Sequence, residues 1–180
     1  MTTRSVGSGR AWSCIVGSIM RWLCTLCVLL IVTCSSHGQA LKSASCGQDG
    51  ILQLVYDDGT TRQQSKEPLQ VGCDSVVLAA GKDTVGWSVL VENCCTSYPI
   101  ASSVVILSRG RKRVFAAEQM VWRWKFISSA QSFAMLSGPV HGNAAQATLY
   151  DIQSGRRLAT WNGSGNPPLW AVEWKPDFGR

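Results

Sequence analysis

The residues with the most chemistry in them are two adjacent cysteines, Cys94 and Cys95, in a loop that continues Thr96-Ser97-Tyr98-Pro99. Neighbouring α-carbons sit about 3.8 Å apart across a trans peptide, below the roughly 4.4 to 6.8 Å window of a relaxed disulfide. A bridge between neighbours is therefore strained, and such strain persists where it shapes a loop or exchanges readily with thiols. In an extended segment, by contrast, neighbouring side chains point to opposite faces, so Cys94 and Cys95 could instead be plain staples to two separate partners. Those partners would be Cys46 and Cys73, because the other four of the eight cysteines (Cys14, Cys24, Cys27 and Cys34) lie in the first 40 residues. Zinc held by four thiolates is disfavoured, since paired short-spacer motifs are missing. His141 is the only histidine beyond residue 40. It could serve a cysteine nucleophile as a base only if the fold brought them together, and no Ser-His-Asp or Cys-His motif surrounds it. No catalytic residue, metal or cofactor is assigned on these grounds.

A second cluster is aromatic. Residues 121–126 alternate, with Trp122, Trp124 and Phe126 on one face and Val121, Arg123 and Lys125 on the other. The stripe could stack on sugars or aromatic ligands, while its plainer reading is one buried face and one solvated face. The candidate ligand-binding residues are accordingly Cys94, Cys95, Thr96, Tyr98, His141, Trp122 and Trp124. Asp57-Asp58 is explained by the turn that it precedes, and Asn162-Gly163-Ser164 matches a glycosylation acceptor that matters only in a eukaryotic host.

The first 40 residues set the compartment. Arg4, Arg10 and Arg21 precede an apolar run over residues 22–34, and Gly38 and Ala40 supply the small side chains of a leader-peptidase site. A 13-residue run is short of the roughly 20 that a spanning helix needs. The layout predicts a signal peptide over 1–40, with an uncleaved anchor as the alternative. Acylation of Cys34 is less favoured, because Ile31-Val32-Thr33 lacks the small residues beside it. Membrane contact is thus expected only through an uncleaved leader or a lipid. Of 17 basic residues three lie in the leader, and with 11 acidic residues outside it the remainder carries +3, too mild for nucleic acid as a partner. An exported chain meets an oxidising environment, which suits an even set of four cysteines.

The elements that must position these residues read as strands. Residues 41–50 are a polar lead-in; 51–56 and 60–64 form a hairpin turned by Asp57-Asp58-Gly59. Cys46 lies thirteen residues before Gly59 and Cys73 fourteen after, so arms running back in register favour a Cys46–Cys73 bridge among three possible connectivities. After a connector over 65–70, strands are expected at 76–79, 85–91, 104–107 and 112–115, with turns at 81–83 and 109–111 and the cysteine loop at 92–101. Further strands fall at 121–126, 132–136, 147–152 and 157–161, with His141 in a loop over 138–143. The tail, 162–180, offers 169–174 as one more strand, and no segment has helical periodicity.

Gly59, Gly110 and Gly155 each tip a strand-turn-strand unit, 51 and 45 residues apart. Four short strands in about 45 residues is the spacing of a propeller blade. The stretch Ala80-Gly81-Lys82-Asp83-Thr84-Val85-Gly86-Trp87 resembles the strand and turn of TolB-type and WD40-like β-propeller repeats, and Leu149-Tyr150-Asp151-Ile152-Gln153-Ser154-Gly155-Arg156-Arg157-Leu158 is similar to their outer hairpin. The Cys-Cys loop resembles one in uncharacterised exported bacterial proteins. The Pro-Asp-Gly form of the blade turn is missing. The resemblance implies a scaffold that binds partners through its loops, usually without catalysis.

Residues 41–161 supply only about two and a half blades, too few for a closed ring, so the open edges must be covered. Capping by the tail, a compact sandwich or barrel, and self-association through sheet edges all satisfy that need. The expectation is one compact all-β domain of antiparallel, blade-like units, in the periplasm or secreted. It would bind an unknown protein, small-molecule or glycan partner; the alternative is a thiol-redox or other enzyme using Cys94 and Cys95 with His141.

Overall fold

The computed structural model describes residues 39–179; residues 1–38 of the expected leader, Cys34 among them, lie outside the described residues. Eleven strands follow in order among them: β1 (Leu41–Cys46), β2 (Leu52–Tyr56), β3 (Thr61–Gln63), β4 (Gln70–Leu78), β5 (Thr84–Val91), β6 (Ile100–Ser108), β7 (Arg111–Ala116), β8 (Met120–Ile127), β9 (Ser132–Gly138), β10 (Gln146–Asp151) and β11 (Arg157–Trp161). They form three antiparallel meanders, β1-β2-β3, β4-β5-β6-β7 and β8-β9-β10-β11, in which every hydrogen-bonded neighbour is also the neighbour in sequence. The two four-stranded units coincide with the repeat read from Gly110 and Gly155.

Local chemistry sets the reversals. Asp58 Oδ1 accepts from the Thr60 amide at 2.9 Å and Oγ1 at 2.7 Å, closing the first hairpin. Arg109 and Gly110 both have positive φ, 49° and 77°, as the two central residues of a right-twisting two-residue hairpin turn must.

The sheets stack. Leu41, Leu52 and Leu54 of the first pack on Val85, Trp87, Val89 and Val105 of the second. The opposite face of the second sheet offers Val104, Ile106 and Phe115 to Val121, Trp124, Phe133, Met135 and Ile152. Covered on both sides, β5 is buried over its first six residues, which is why it reads as an apolar run rather than an alternation. The far face of the third sheet, with Ala134, Leu136, Ala147 and Trp161, is closed by Ala171 and Trp174 of the tail.

Several sequence expectations are corrected. Residues 41–50 are not a loose lead-in: 41–46 form β1, paired with β2 and tied to the second sheet by a Leu41 amide to Lys82 carbonyl bond of 2.8 Å. The expected Cys46–Cys73 bridge is borne out, with α-carbons 5.8 Å apart. Cys46 ends β1 and Cys73 sits inside β4, so the bridge clamps one sheet onto the next rather than closing a ladder. The strand expected at 76–79 begins at Gln70, and a bulge between Asp74 and Val77 hides its continuity from any period-two reading.

The tail strand at 169–174 is instead a 3-10 helix, Leu169–Phe178. Ala171 and Trp174, three apart, share its inward side, as three residues per turn requires, and Leu169 and Val172 are exposed. Pro168 precedes it, with φ −66°, and Pro176 lies within its last turn. Lys125 Nζ lies 4.9 Å from the Trp174 ring centroid and 2.8 Å from Glu173 Oε1, and Arg123 pairs with Asp177. The polar face of β8, expected to be solvated, holds the tail.

Candidate functional site

Residues 92–99 leave the stack between β5 and β6, whose ends are fixed by the Val91–Ile100 pairing. The loop holds both cysteines exposed, and both are free thiols with Sγ atoms 2.9 Å apart. The second bridge of the sequence reading is therefore not formed here, and staples to Cys46 and Cys73 are excluded because those two pair with each other. The hydrogen bond to Cys94 holds the Cys95 thiol above its ordinary range, since ionisation would place a thiolate against a sulfur that is itself ionisable. Thr96 Oγ1 donates to the Tyr98 carbonyl at 2.6 Å, which turns the chain and leaves the Tyr98 ring 53% exposed ahead of Pro99.

His141 is exposed in residues 139–145, between β9 and β10. Antiparallel alternation sends this loop and 92–99 from the same end of the stack, but no hydrogen bond among the described residues joins His141 to either cysteine. Among the described residues there is also no cluster of three His, Cys, Asp or Glu side chains able to hold a metal ion.

The aromatic stripe is split. The β8–β9 register steps from Val121–Ser137 to Arg123–Leu136, so Trp122 is the extra residue of a bulge. Beyond it the faces exchange: Trp124 joins Val121 in the core between the second and third sheets, while Trp122 packs beside Leu136 and Trp174 on the tail side. Trp124 is 8% exposed, edge-on to Phe126 at 5.3 Å, and is withdrawn as a ligand-stacking residue. Trp122 is half-buried and its Nε1 donates to the Pro139 carbonyl at 3.0 Å, which fixes the ring as a brace for the His141 loop.

The opposite end, where the β4–β5, β6–β7, β8–β9 and β10–β11 turns gather, holds a cleft of about 570 Å³ that sequence reasoning missed. Asp83, Arg109, Arg111, Arg113, Ser129 and Asp151 are among its lining residues. The signal available was the basic run Arg109-Gly110-Arg111-Lys112-Arg113, visible only as a turn. Arg109 Nε donates to Asp83 at 3.1 Å and holds that carboxyl below the usual range, with Thr84 adding a bond of 3.0 Å. Asp151 is likewise held low by the Ser154 hydroxyl and amide. Asp83 thus ties two turns of the second sheet together, while Asp151 closes its own turn within the field of Arg156 and Arg113.

No family model matches the chain, and no curated protein matches its sequence.

Proposed function

We propose that this chain is an extracytoplasmic binding module, presenting the 92–99 loop to a protein, small-molecule or glycan partner from a rigid stack of sheets. The observation that carries the reading is the contrast between that loop and its footing. An exposed dithiol and a half-exposed tyrosine stand on two strands that are among the most buried in the fold. Recognition residues are commonly loop residues held by a stiff scaffold. The Cys46–Cys73 bridge supports export, since such bridges persist outside the reducing cytosol. The blade-like order of the two four-stranded meanders supports a relation to propeller repeats, whose known mode is loop-mediated binding.

The test is a comparison on immobilised glycan and peptide panels between the purified protein and a loop variant carrying Cys94→Ser, Cys95→Ser and Tyr98→Ala. A saturable ligand lost in a variant with an unchanged circular dichroism spectrum is the expected result. Saturable binding that the triple variant retains would sink the reading, as would panels with no saturable ligand.

The thiol-redox alternative draws on one observation, the 2.9 Å separation of the two sulfurs. It needs a thiolate near neutral pH, and the Cys94 hydrogen bond disfavours one on Cys95. Alkylation of the loop thiols by iodoacetamide separates the two readings. A binding module gives rates that climb steadily above pH 8, and a redox site gives one thiol that reacts rapidly below pH 7.

A further inference from the structure

The charge in the turn-end cleft is unbalanced. Register pairs Arg111 with Ser108 and Arg113 with Ile106, so these two arginines share the face of β7 that looks toward the third sheet. Lys112 leaves on the other face and is matched by Glu67 at 2.6 Å. Arg109 is matched by Asp83. Neither Arg111 nor Arg113 has a carboxylate partner among the ion pairs of the described residues. Arg113 donates through Nη2 to the Gln153 carbonyl, a neutral acceptor, and its buried Nε has no partner at all.

The facing rim is also unusual. Ser128, Ser129 and Ala130 are three consecutive non-glycine residues with positive φ, 50°, 53° and 64°. Each costs about 1 kcal/mol or more relative to the right-handed region, and such strain gathers at ligand sites. The turn is closed by the Gln131 amide on the Ser128 carbonyl at 3.1 Å and anchored by the Ile152 amide on the Gln131 carbonyl at 3.1 Å. The amides of Ser129 and Ala130 make no backbone hydrogen bond, and both residues line the cleft.

We propose that this cleft binds the oxyanion of a small polar ligand, a carboxylate or phosphate group, between Arg111 and Arg113 on one wall and the Ser129 turn on the other. Guanidinium forks match the geometry of such groups, and the charge of the ligand would balance the excess of a cleft in which three arginines face the two carboxylates of Asp83 and Asp151. The site is at the opposite end of the stack from the 92–99 loop, so neither reading depends on the other.

The experiment is an amide-shift titration of the 15N-labelled protein with sodium phosphate and, separately, sodium galacturonate, at ionic strength held constant with sodium chloride. Expected are saturating shifts confined to residues 109–113, 128–131 and 152–153, in the millimolar range or tighter, with the probe that saturates first identifying the source of the oxyanion. Arg111→Gln should weaken binding about tenfold, and Arg111→Gln with Arg113→Gln should abolish it. Lys175→Gln, which removes an exposed charge elsewhere, should change nothing. Arg111 is exposed and braces no other group, so the single variant decides the matter even if the double variant does not fold. Shifts scattered over all basic residues, an Arg111→Gln titration with the same midpoint as the parent, or no saturating shift with either probe would each overturn the proposal.

Discussion

Gly86 of β5 lies beneath the Trp124 ring of the third sheet, and Gly86→Ala tests whether the two sheets stack as described. A β-carbon built there would lie 2.5 Å from Trp124 Cη2 and 2.7 Å from Ile106 Cδ1. Backbone conformation does not forbid alanine at this position, so two opposing effects remain. Alanine restricts the unfolded chain more than glycine and on that account stabilises by roughly 0.4 to 1 kcal/mol. Against this, a methyl group forced into a filled core costs typically 1 to 3 kcal/mol. Relief is limited on both sides. The Trp124 ring is rigid and is held edge-on by Phe126 at 5.3 Å and Phe133 at 6.4 Å. Ile106 could rotate its δ-methyl, but the side chain is 1% exposed and has little room.

Overpacking should therefore win, with a net loss of about 1 to 2 kcal/mol and a melting temperature lower by roughly 3 to 8 °C. Urea titration followed by far-ultraviolet circular dichroism measures the first, and calorimetry the second. Gly72→Ala is the matched control, because its nearest contact is the flexible Leu90 Cδ1 at 3.3 Å, and it should be close to neutral. Adding Ile106→Val to Gly86→Ala removes the crowded δ-methyl, and the pair should cost less than the sum of the single changes. If Gly86→Ala proves as stable as the parent, Trp124 does not lie over β5 and the packing of the two sheets is wrong.

Removing the bridge with Cys46→Ala and Cys73→Ala opens a loop of 27 residues and should cost about 3 to 4 kcal/mol by the chain-entropy relation, read as a fall in the urea midpoint. Trp174→Ala should cost about 3 to 5 kcal/mol and make the 162–168 segment the first site of proteolysis, because the ring is 1% exposed beneath the tail. Burial of Tyr150, whose ring stacks on Phe133 at 5.3 Å, raises its folded pKa above the unfolded value near 10. The associated stability is present below about pH 10 and lost as pH rises through the folded value, so Tyr150→Phe should flatten the alkaline limb of a stability profile.

The hairpins and the repeat were legible because their signals are local. Gly59, Gly110 and Gly155 mark their own turns by positive φ, and apolar runs mark the strands between. Structure that breaks its own period leaves no such signal. Alternation cannot see the bulge at Trp122, and one inserted residue sent Trp124 to the core and Trp122 to the tail side. The bulge after Asp74 shortened β4 to its final residues in the same way. In the tail, apolar residues three apart could be read as strand or helix, and only the uncovered face of β9 and β10 decides between them. The spacing argument for the bridge rests on the β2–β3 hairpin, whereas the two cysteines stand on β1 and β4, and the polar composition of 41–46 gives no strand signal. The cleft was not legible at all, since its lining comes from four turns that meet only once two sheets are stacked.

The distribution of connections has a consequence for how such a stack can change. In each four-stranded meander the first and third connections leave from one end, and the second from the other. The third sheet continues the alternation through residues 117–119. One end therefore carries close turns whose residues bond to one another across sheets, as the Arg113 guanidinium does to the Gln153 carbonyl. The other carries 92–99 and 139–145, which are longer and rest on strand ends. Lengthening a loop adds only a slowly rising closure entropy when its ends are already fixed by pairing, as Val91–Ile100 and Gln146–Ser137 are. An insertion among residues 128–131 must instead disturb the third sheet's register and the cleft together. Variation can thus accumulate at the cysteine end without repacking the core, whereas the turn-end cleft is fixed by the same turns that hold the sheets in place.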